Sequence, residues 1–408
     1  MKLIGPFTQI VTLNGLPLAG PLADDRLEII LRGGVLVQDG VIVKVGDFNT
    51  LQKEAEEVEE ITGDHVLMPG FIDAHTHICF AGSRAGDYAS RIAGKSYVQI
   101  LEEGGGIMDT VRKTRAATSE ELIEGMVLRC NRLTSEGVTT CEVKSGYGLS
   151  LEDELKMLRA IREANDQTAL DLVSTCLAAH VKPPEFEDAA SYVGFLIEHV
   201  LPVVKSEQLA NRADVFVEPS AFAPDAARTY LQACRDLGFA ITVHADQFTA
   251  MGSMLAAEFD AVSADHLEAV NDAGIAALKK KSVIATVLPG ATLGLGMPFA
   301  PARKLLDAGL CLVIASDWNP GSAPMGNLLL QAAVMGAAEK LTTTETLAAV
   351  TVRAAAALQL NDRGVIAADK KADMVAFPVA DFREVLYHQG SLQPNLVWKN
   401  GMQTHIPH

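Results

Sequence analysis

The chain has 408 residues, of which 49% are hydrophobic and 21% charged, and its formal net charge is −17 at pH 7. This composition is typical of a globular protein with a large core, and it excludes a disordered chain. An acidic surface repels phosphate groups, so we expect neither nucleic acid nor an anionic membrane as a partner. No apolar run approaches the roughly 18 residues that a membrane-spanning helix requires.

The six cysteines lie mostly within apolar segments, and no two of them form a C-x-x-C pair. This usage is typical of buried, reduced thiols in the cytosol. The first residues, M-K-L-I-G-P-F-T-Q-I-V-T-L-N-G, lack the apolar core of a signal peptide. The sequence therefore predicts a soluble protein of the cytoplasm.

Short β-type runs mark both ends of the chain. Near the start, L-E-I-I-L-R-G-G-V-L-V-Q-D-G carries Gly-Gly and Asp-Gly turn signals, and Asn400-Gly401 is a similar signal near the end. We therefore expect one small β-sandwich-like domain assembled from residues 1–65 and 362–408. Residues 66–361 would form a second domain inserted between these two segments.

In the middle of the chain, eight apolar runs of strand length alternate with helical patterns. Ser150 is placed to cap one helix, with Asp153 three residues on, while Pro224 opens another helix that Gly238 closes. Strands rich in Val, Ile, Ala and Leu that alternate with helices favour an α/β fold, a (β/α)8 TIM-like barrel. The eight runs are GFIDAHTH, GVTTCEVKSG, LDLVSTCLAAH, DVFVEPSAF, FAITVHADQ, AVSADH, SVIATVLPG and LCLVIASDWNPG.

Histidines end several of these predicted strands, where the chemistry of such a barrel takes place. His75 and His77 are two residues apart, so on a strand both face the barrel mouth. An H-x-H pair alone is often only a hydrogen-bonded strand end. Together with His244 and Asp317 on the fifth and eighth strands, the pair predicts a site for Zn²⁺ or Fe²⁺.

The segment P-G-F-I-D-A-H-T-H, followed by histidines on strands five and six and an aspartate on strand eight, resembles the metal-dependent amidohydrolase superfamily. The resemblance covers essentially the whole chain and implies one or two metals above the strands. Two-metal members usually have a carboxylated lysine on strand four, where this chain has Glu218. Lys144 lies on strand two and is interpreted as a structural cation. We therefore expect one divalent ion, Zn or Fe.

Further motifs resemble the imidazolonepropionase family, and E-V-K-S-G-Y-G is the most specific of them. That family hydrolyses the ring of 4-imidazolone-5-propanoate to N-formimidoyl-L-glutamate in histidine degradation. The resemblance thus implies a hydrolase of cyclic amides, a small-molecule substrate and a homodimer. The motifs are FAGSRAGDY at 80–88, GGGI at 104–107, EVKSGYG at 142–148, HADQ at 244–247, SADHLE at 263–268 and SDWNPGS at 316–322.

The side chains of these motifs suit that substrate. Arg84, in the loop after strand one, can hold the propanoate through two parallel hydrogen bonds. Tyr147 and His180 are assigned to the ring. Each of these residues also has a plain structural interpretation as a surface arginine, as loop packing or as a buried histidine.

Three residues after the metal-binding aspartate, Asn319, Gly321 and Ser322, are assigned to the carboxylate and amide groups of the product. Their structural alternative is a capping turn, and both interpretations are compatible. The resemblance casts Asp317 as the base that passes a proton to the leaving ring nitrogen, and His266 as the group that stabilises the oxyanion or orients the water. A strand-bridging hydrogen bond is the alternative for His266.

Gln247 separates the leading hypothesis from a second one. Cytosine- and guanine-type deaminases have H-x-x-E at this place, and their glutamate shuttles protons. An amide only hydrogen-bonds, so Gln247 is assigned as a substrate contact and Asp246 as structural. A deaminase or another cyclic amidase stays as an alternative. A non-enzymatic member is a third, although this chain retains all four candidate metal ligands.

Overall fold

The structure is a computed structural model that describes residues 1–95 and 97–404, without the side chains of residues 97, 98 and 101. Within these residues the strands are β1 (Lys2–Val11), β2 (Ile29–Gln38), β3 (Val41–Asp47), β4 (Glu57–Glu60), β5 (Val66–Pro69), β6 (Phe71–Asp73), β7 (Val138–Lys144), β8 (Asp171–Ala179), β9 (Arg212–Phe216), β10 (Ala240–Ala245), β11 (Ser263–His266), β12 (Ile284–Val287), β13 (Leu312–Ile314), β14 (Met374–Phe377), β15 (Leu396–Lys399) and β16 (Met402–Gln403).

The helices connect the middle strands and cover them. They are α1 (Phe48–Leu51), α2 (Ala85–Ile92), α3 (Tyr97–Glu102), α4 (Ile107–Ala116), α5 (Ser119–Ser135), α6 (Leu151–Asn165), α7 (Ala189–Phe195), α8 (Leu201–Ser206), α9 (Pro224–Asp236), α10 (Gly252–Glu258), α11 (Asp272–Lys281), α12 (Pro289–Leu295), α13 (Ala302–Asp307), α14 (Leu328–Glu339), α15 (Thr343–Ala349), α16 (Val352–Ala357) and α17 (Arg383–Tyr387). A π-helical turn at Leu196–Val200 joins α7 to α8, and short 3-10 turns lie at Asp24–Arg26 and Gln52–Glu54.

Strands β6 to β13 form one parallel sheet in chain order, which confirms the predicted (β/α)8 barrel. Seven of the predicted runs contain one of these strands whole, and the fourth overlaps β9, which begins two residues earlier at Arg212. The two edge strands meet through their C-terminal loops, where the amide of Asp317 donates to the carbonyl of His75 at 3.0 Å and the amide of His77 donates to the carbonyl of Trp318 at 3.0 Å. These bonds close the barrel next to the predicted metal ligands.

Two helices of the barrel domain have the capping residues predicted from the sequence. The Ser150 hydroxyl accepts a hydrogen bond from the amide of Asp153 and caps α6. Pro224 is the first residue of α9, and Gly238, just past its end, has a φ of +72°, a conformation that glycine adopts without strain. Local sequence therefore determines where these two helices begin and stop.

The second sheet combines strands from both termini, in the order β16-β15-β14-β5-β1-β2-β3, with β4 paired to β1. The rings of Phe7 on β1 and Trp398 on β15 pack edge to face with centroids 5.9 Å apart. Since β1 and β15 are not neighbours in the sheet, this contact shows that the sheet curves around a core of its own. The sheet also includes β5, which extends it four residues past the boundary proposed at residue 65, because β5 pairs with β1 and β14.

A cluster of ion pairs joins the two sheets beneath the barrel, and we call it the junction cluster. Its three carboxylates and three cations match in number, and its Arg363 also donates to the Thr140 hydroxyl at 2.8 Å. The members are Asp171, Asp362, Asp373, Arg363, Lys371 and Lys399.

Two further findings concern the predicted environment of the chain. Among the described residues, the helices are all too short or too polar to cross a bilayer. The six cysteines, all within the described part of the chain, are free thiols, and five of them are buried.

Candidate metal centre and active site

Four side chains converge at the C-terminal mouth of the barrel, as predicted from the strand ends. The Nε2 atom of His77 lies 3.3 Å from Nε2 of His75 and 3.4 Å from Nε2 of His244. Asp317 Oδ1 lies 3.3 Å from Nε2 of His77 and 3.5 Å from Nε2 of His75. All four side chains are at most 4% exposed, so the donor atoms face one another in a dry site.

The protonation of these groups suits metal binding. Burial lowers the pKa of His75 well below its ordinary value and that of His244 to about 4. Both imidazoles are therefore neutral at pH 7, the form that offers a lone pair. Burial raises the pKa of Asp317, but its close contact with the His77 ring and the neighbouring histidines lower it by more, so the carboxylate stays ionised.

Four of the donor separations, at 3.3–3.5 Å, are close to those between two ligands of one small cation. Zinc–nitrogen bonds of about 2.0–2.1 Å place neighbouring tetrahedral ligand atoms about 3.3–3.4 Å apart. Within the described residues, the buried atoms Asp317 Oδ1 and His77 Nδ1 have no hydrogen-bond partner. An ionised oxygen left unpaired in a protein interior is costly unless a cation meets it.

Two aspartates lie beneath the histidines and orient them. Asp265 Oδ2 is 2.7 Å from Nδ1 of His75, and Asp214 Oδ2 is 2.9 Å from Nδ1 of His244. A carboxylate on Nδ1 fixes the tautomer in which Nε2 carries the lone pair. Asp265 is the register partner of His244 in the neighbouring strand, which explains its place below the ligands.

Lys144 lies below both aspartates and is fully buried. Its Nζ atom is 2.8 Å from Glu142 Oε2, 2.9 Å from Asp214 Oδ2 and 3.8 Å from Asp265 Oδ2. Burial lowers the pKa of Lys144, but the three carboxylates raise it further, so the lysine is charged. It is thus the structural cation that its position on strand two suggested.

We call the contact-linked set at the mouth the mouth cluster. Counting imidazoles as neutral, it has four carboxylates and two cations and carries two net negative charges. Its members are His75, His77, His244, Asp317, Asp265, Asp214, Glu142, Lys144 and Arg212, the last lying 3.5 Å from Glu142.

Sequence reasoning gave no role to Asp214, Asp265, Glu142 or Arg212. The sequence nevertheless contains a pattern that marks most of these residues. Glu142 and Lys144, like Arg212 and Asp214, are charged residues two apart inside an apolar strand. Side chains two apart in a buried parallel strand face the same side, and in a barrel the polar ones face the interior.

His266 lies beside the cluster, with its ring centroid 5.3 Å from that of His244. Its Nδ1 is 3.6 Å from Glu268 Oε2, and the other oxygen of Glu268 accepts from the Thr292 hydroxyl at 3.0 Å. Burial lowers the pKa of His266, but the charges of Glu268 and Asp317 raise it above its ordinary value. His266 and Asp317 both have positive φ, +86° and +51°, a strained backbone that is common at functional sites.

Tyr147 and His180 form the side of the site next to His77. The rings of His77 and His180 stack with centroids 5.2 Å apart, and the Tyr147 ring lies 5.5 Å from that of His180. The His180 Nδ1 atom is 3.1 Å from the carbonyl oxygen of Gly146. Gln247 is buried at the end of β10, one residue beyond Asp246. The roles of these residues toward a substrate stay predictions.

Arg84 and the loop after β13 line one cavity of about 330 Å³, together with Phe80, Tyr88 and Trp318. The Asn319 amide oxygen accepts from the backbone amides of Gly321 and Ser322, both at 2.8 Å, and its nitrogen donates to the carbonyl of Asp317. Asn319 therefore caps a local turn, but not a helix as predicted, since the next helix is α14 and its N-cap is Asn327. Their contact with a substrate remains a prediction.

The carboxylates of Glu218 and Asp246 accept hydrogen bonds from backbone amides and are not part of the candidate metal centre. The Glu218 carboxylate accepts from the amides of Phe248 and Thr249, and that of Asp246 accepts from those of Met251 and Ser253. Both acids thus order the loop that follows β10.

Comparison with known proteins agrees with this geometry. The family model described as Amidohydrolase family matches residues 83–405. An imidazolonepropionase of Myxococcus xanthus is 44% identical over 93% of this chain and 91% of its own length. One of Fusobacterium nucleatum is 40% identical over 92% of each chain. The chain belongs to the imidazolonepropionase family. It is therefore a hydrolase with a small-molecule substrate.

Solved structures similar to this chain share its fold. An atrazine chlorohydrolase of Arthrobacter aurescens, complexed with zinc, aligns with a TM-score of 0.65 at 17% identity, over 99% of this chain and 95% of its own. A zinc-bound adenosine deaminase of Xanthomonas campestris aligns with a TM-score of 0.68 at 16% identity, over 98% and 92%. Family membership and the histidine cluster together support a divalent metal at the mouth of the barrel.

Proposed function

We propose that this chain opens the ring of 4-imidazolone-5-propanoate with water, giving N-formimidoyl-L-glutamate in histidine degradation. The observation that carries the proposal is that the cavity of Arg84 is lined by residues directly following Asp317. A molecule with a reactive ring at one end and a carboxylate at the other fits that arrangement. The names of the relatives agree with this substrate.

We infer that the site takes one divalent ion, zinc or iron, held by His75, His77, His244 and Asp317. The two net negative charges of the mouth cluster equal the charge of one such ion, which supports a single metal. Three imidazoles and one carboxylate suit either element. When bound, the ion supplies Lewis acidity, which lowers the pKa of water and polarises a carbonyl.

The chain's own residues would then perform the proton transfers. Asp317 accepts the proton of the attacking water, whose oxygen bonds to the carbonyl carbon of the ring. The bond between this carbon and the ring nitrogen breaks, and the nitrogen takes up the proton from Asp317. His266, whose pKa Glu268 and Asp317 raise, would stabilise the oxyanion that forms in between.

The remaining residues would bind and orient the substrate. Arg84 holds the propanoate in its cavity, while Tyr147 and His180 contact the ring. Gln247 hydrogen-bonds the ring edge without moving a proton, which favours ring opening over deamination. The turn around Asn319, with Gly321 and Ser322, supplies donors to the newly formed carboxylate.

We also propose that the chain acts in the cytoplasm as a homodimer. The free, mostly buried thiols favour a reducing compartment. The family resemblance implies the dimer, and sedimentation of the purified, metal-loaded protein measures it directly.

The proposed activity is tested with protein purified without chelators. Its metal content should be one zinc or iron ion per chain. The protein should consume imidazolone propanoate prepared freshly from urocanate, and it should release no ammonia from cytosine or guanine. Failure of the metal-loaded protein to consume imidazolone propanoate would contradict the proposal, and ammonia release would favour the deaminase alternative.

A further inference from the structure

Asp87 connects the predicted carboxylate-binding arginine to a glycine-rich loop. Its Oδ2 atom accepts from Arg84 Nε at 2.9 Å and from the backbone amide of Gly106 at 2.9 Å. The two side chains are only 14% and 16% exposed. A Cβ at position 105 would lie 2.6 Å from Asp87 Oδ1, so the loop approaches this closely only with glycine there.

The hydrogen bond with Asp87 occupies the inner nitrogen of the Arg84 guanidinium. This is the one hydrogen bond that Arg84 makes with the described residues. The two terminal nitrogens of its guanidinium are therefore available to another partner. One of them, Nη1, lies against Gly321, where a Cβ would collide with it. These terminal nitrogens are the pair that grips a carboxylate in parallel.

Gly321, which lines the same cavity, is also held from α2. Arg91, one helical turn beyond Asp87, donates to the carbonyl of Gly294 at 2.7 Å and to that of Gly321 at 3.3 Å. The guanidinium of Arg84 and the loop that faces it are thus both held by one short helix.

An ordinary surface ion pair differs from this one in two respects. Exposed pairs between residues three apart on a helix contribute little and leave their side chains mobile. Here the Oδ2 atom of Asp87 accepts hydrogen bonds from both Arg84 and the backbone amide of Gly106. Gly105 and Gly321, which lie on two different loops, pack closely against the pair. Such a carboxylate restricts the arginine to one orientation.

We infer that Asp87 is the positioning residue of the carboxylate pocket, holding Arg84 by its Nε so that both terminal nitrogens face the propanoate of the substrate. The inference rests on the proposed function, since it assumes that Arg84 binds this carboxylate. It assigns Asp87 an effect on substrate affinity and none on the chemical step.

The test combines two substitutions with two ligands. KM and kcat are measured for wild type, D87N, R84M and the double variant, along with the inhibition constants of imidazole-4-propanoate and its methyl ester. We expect D87N to raise KM and the inhibition constant of the acid about tenfold, the cost of re-ordering one long side chain on binding. The kcat of D87N and its affinity for the ester should stay within about twofold of wild type.

The double variant and a matched control decide how Asp87 acts. If Asp87 works through Arg84, D87N should add no further loss of affinity to R84M. The control D225N breaks the exposed pair of Asp225 with Arg228 on α9, also three residues apart and outside the residues that line the cavity, and should leave KM unchanged.

Three results would overturn the inference. The first is a KM for D87N equal to that of wild type. The second is a further loss of substrate affinity when D87N is added to R84M, as large as the loss that D87N causes alone. The third is an equal loss of affinity of D87N for imidazole-4-propanoate and for its methyl ester. If R84M itself keeps wild-type affinity for the acid, the assignment of Arg84 is wrong and the inference falls with it. A wild-type protein that does not consume imidazolone propanoate contradicts the proposed function instead.

Discussion

The two ends of the barrel contain charged clusters that differ in charge balance and in burial. In the junction cluster three carboxylates meet three cations, and the charges balance. In the mouth cluster four carboxylates meet two cations. The partly exposed cluster that joins the two sheets is neutral, whereas the fully buried cluster at the mouth, where we propose that a cation binds, keeps an excess of negative charge. In this molecule, charge balance and burial together therefore separate the two clusters.

The largest expected difference between the clusters comes from removing one carboxylate from each. D317N should reduce kcat by about 10³-fold, because it removes the proposed base and one metal ligand. Steady-state kinetics of the metal-loaded variant and of the wild type measure this loss.

The matched substitution in the junction cluster is D373N. Asp373 is 4% exposed and accepts from Lys399 and the amide of Asn400. We expect a loss of about 2 kcal/mol of unfolding free energy with kcat retained, since Lys399 keeps only Asp171 as a charged partner. Urea unfolding and steady-state kinetics measure both quantities. A D373N variant with strongly reduced kcat would contradict the separation of the two roles.

A smaller difference between the clusters is expected when the buried lysine of each one, Lys144 or Lys399, is replaced by methionine. K144M should weaken metal affinity about 10–100-fold, the usual effect of removing a group that orients metal ligands. Lys144 holds Asp214 and Asp265, which in turn orient His244 and His75. Competition with a chelator, measured on the folded fraction, gives the affinity.

K399M is the control for this experiment, because Lys399 is also buried and paired with two aspartates. It should lower the melting temperature and leave metal affinity unchanged. Tighter metal binding by K144M would show that the lysine acts on the ion only through repulsion, and the positioning role would be wrong.

The smallest expected effect is on the pH dependence of stability. Burial raises the pKa of Asp171, but Lys399 and Arg363 lower it further, so the net shift is downward. A lowered pKa stabilises the folded state above the unfolded value of about 3.9, and this contribution is lost as pH falls through the folded value. D171N should therefore be less stable at pH 7, and its stability should fall less steeply below about pH 4.

Urea midpoints at pH 7 and between pH 5 and 3 measure this slope. D260N, which breaks the exposed pair of Asp260 with Lys281, should leave the slope unchanged. An equal slope for wild type and D171N would show that the junction pairs do not act through the charge of Asp171.

The sequence by itself determined the barrel, its eight strands and the four donors at its mouth. Strand-length apolar runs, capping residues such as Ser150 and the two-residue spacing of His75 and His77 depend on neighbours along the chain, so a single sequence displays them. The motifs around Arg84 and Gln247 were also visible, although their contacts with a substrate stay predictions.

The tertiary structure decided which distant residues support that site. Asp265 lies under His75 across 190 positions although their strands are not neighbours in the sheet, and Asp214 on β9 lies under His244 on β10 although its register partner is Thr242. The pairing of β5 with β14, and the hydrogen bond from Gly106 to Asp87, likewise join segments that no local pattern relates. Periodicity fixes the face on which a side chain lies, whereas only the closed sheet fixes its partners, since register depends on the packing of the whole barrel.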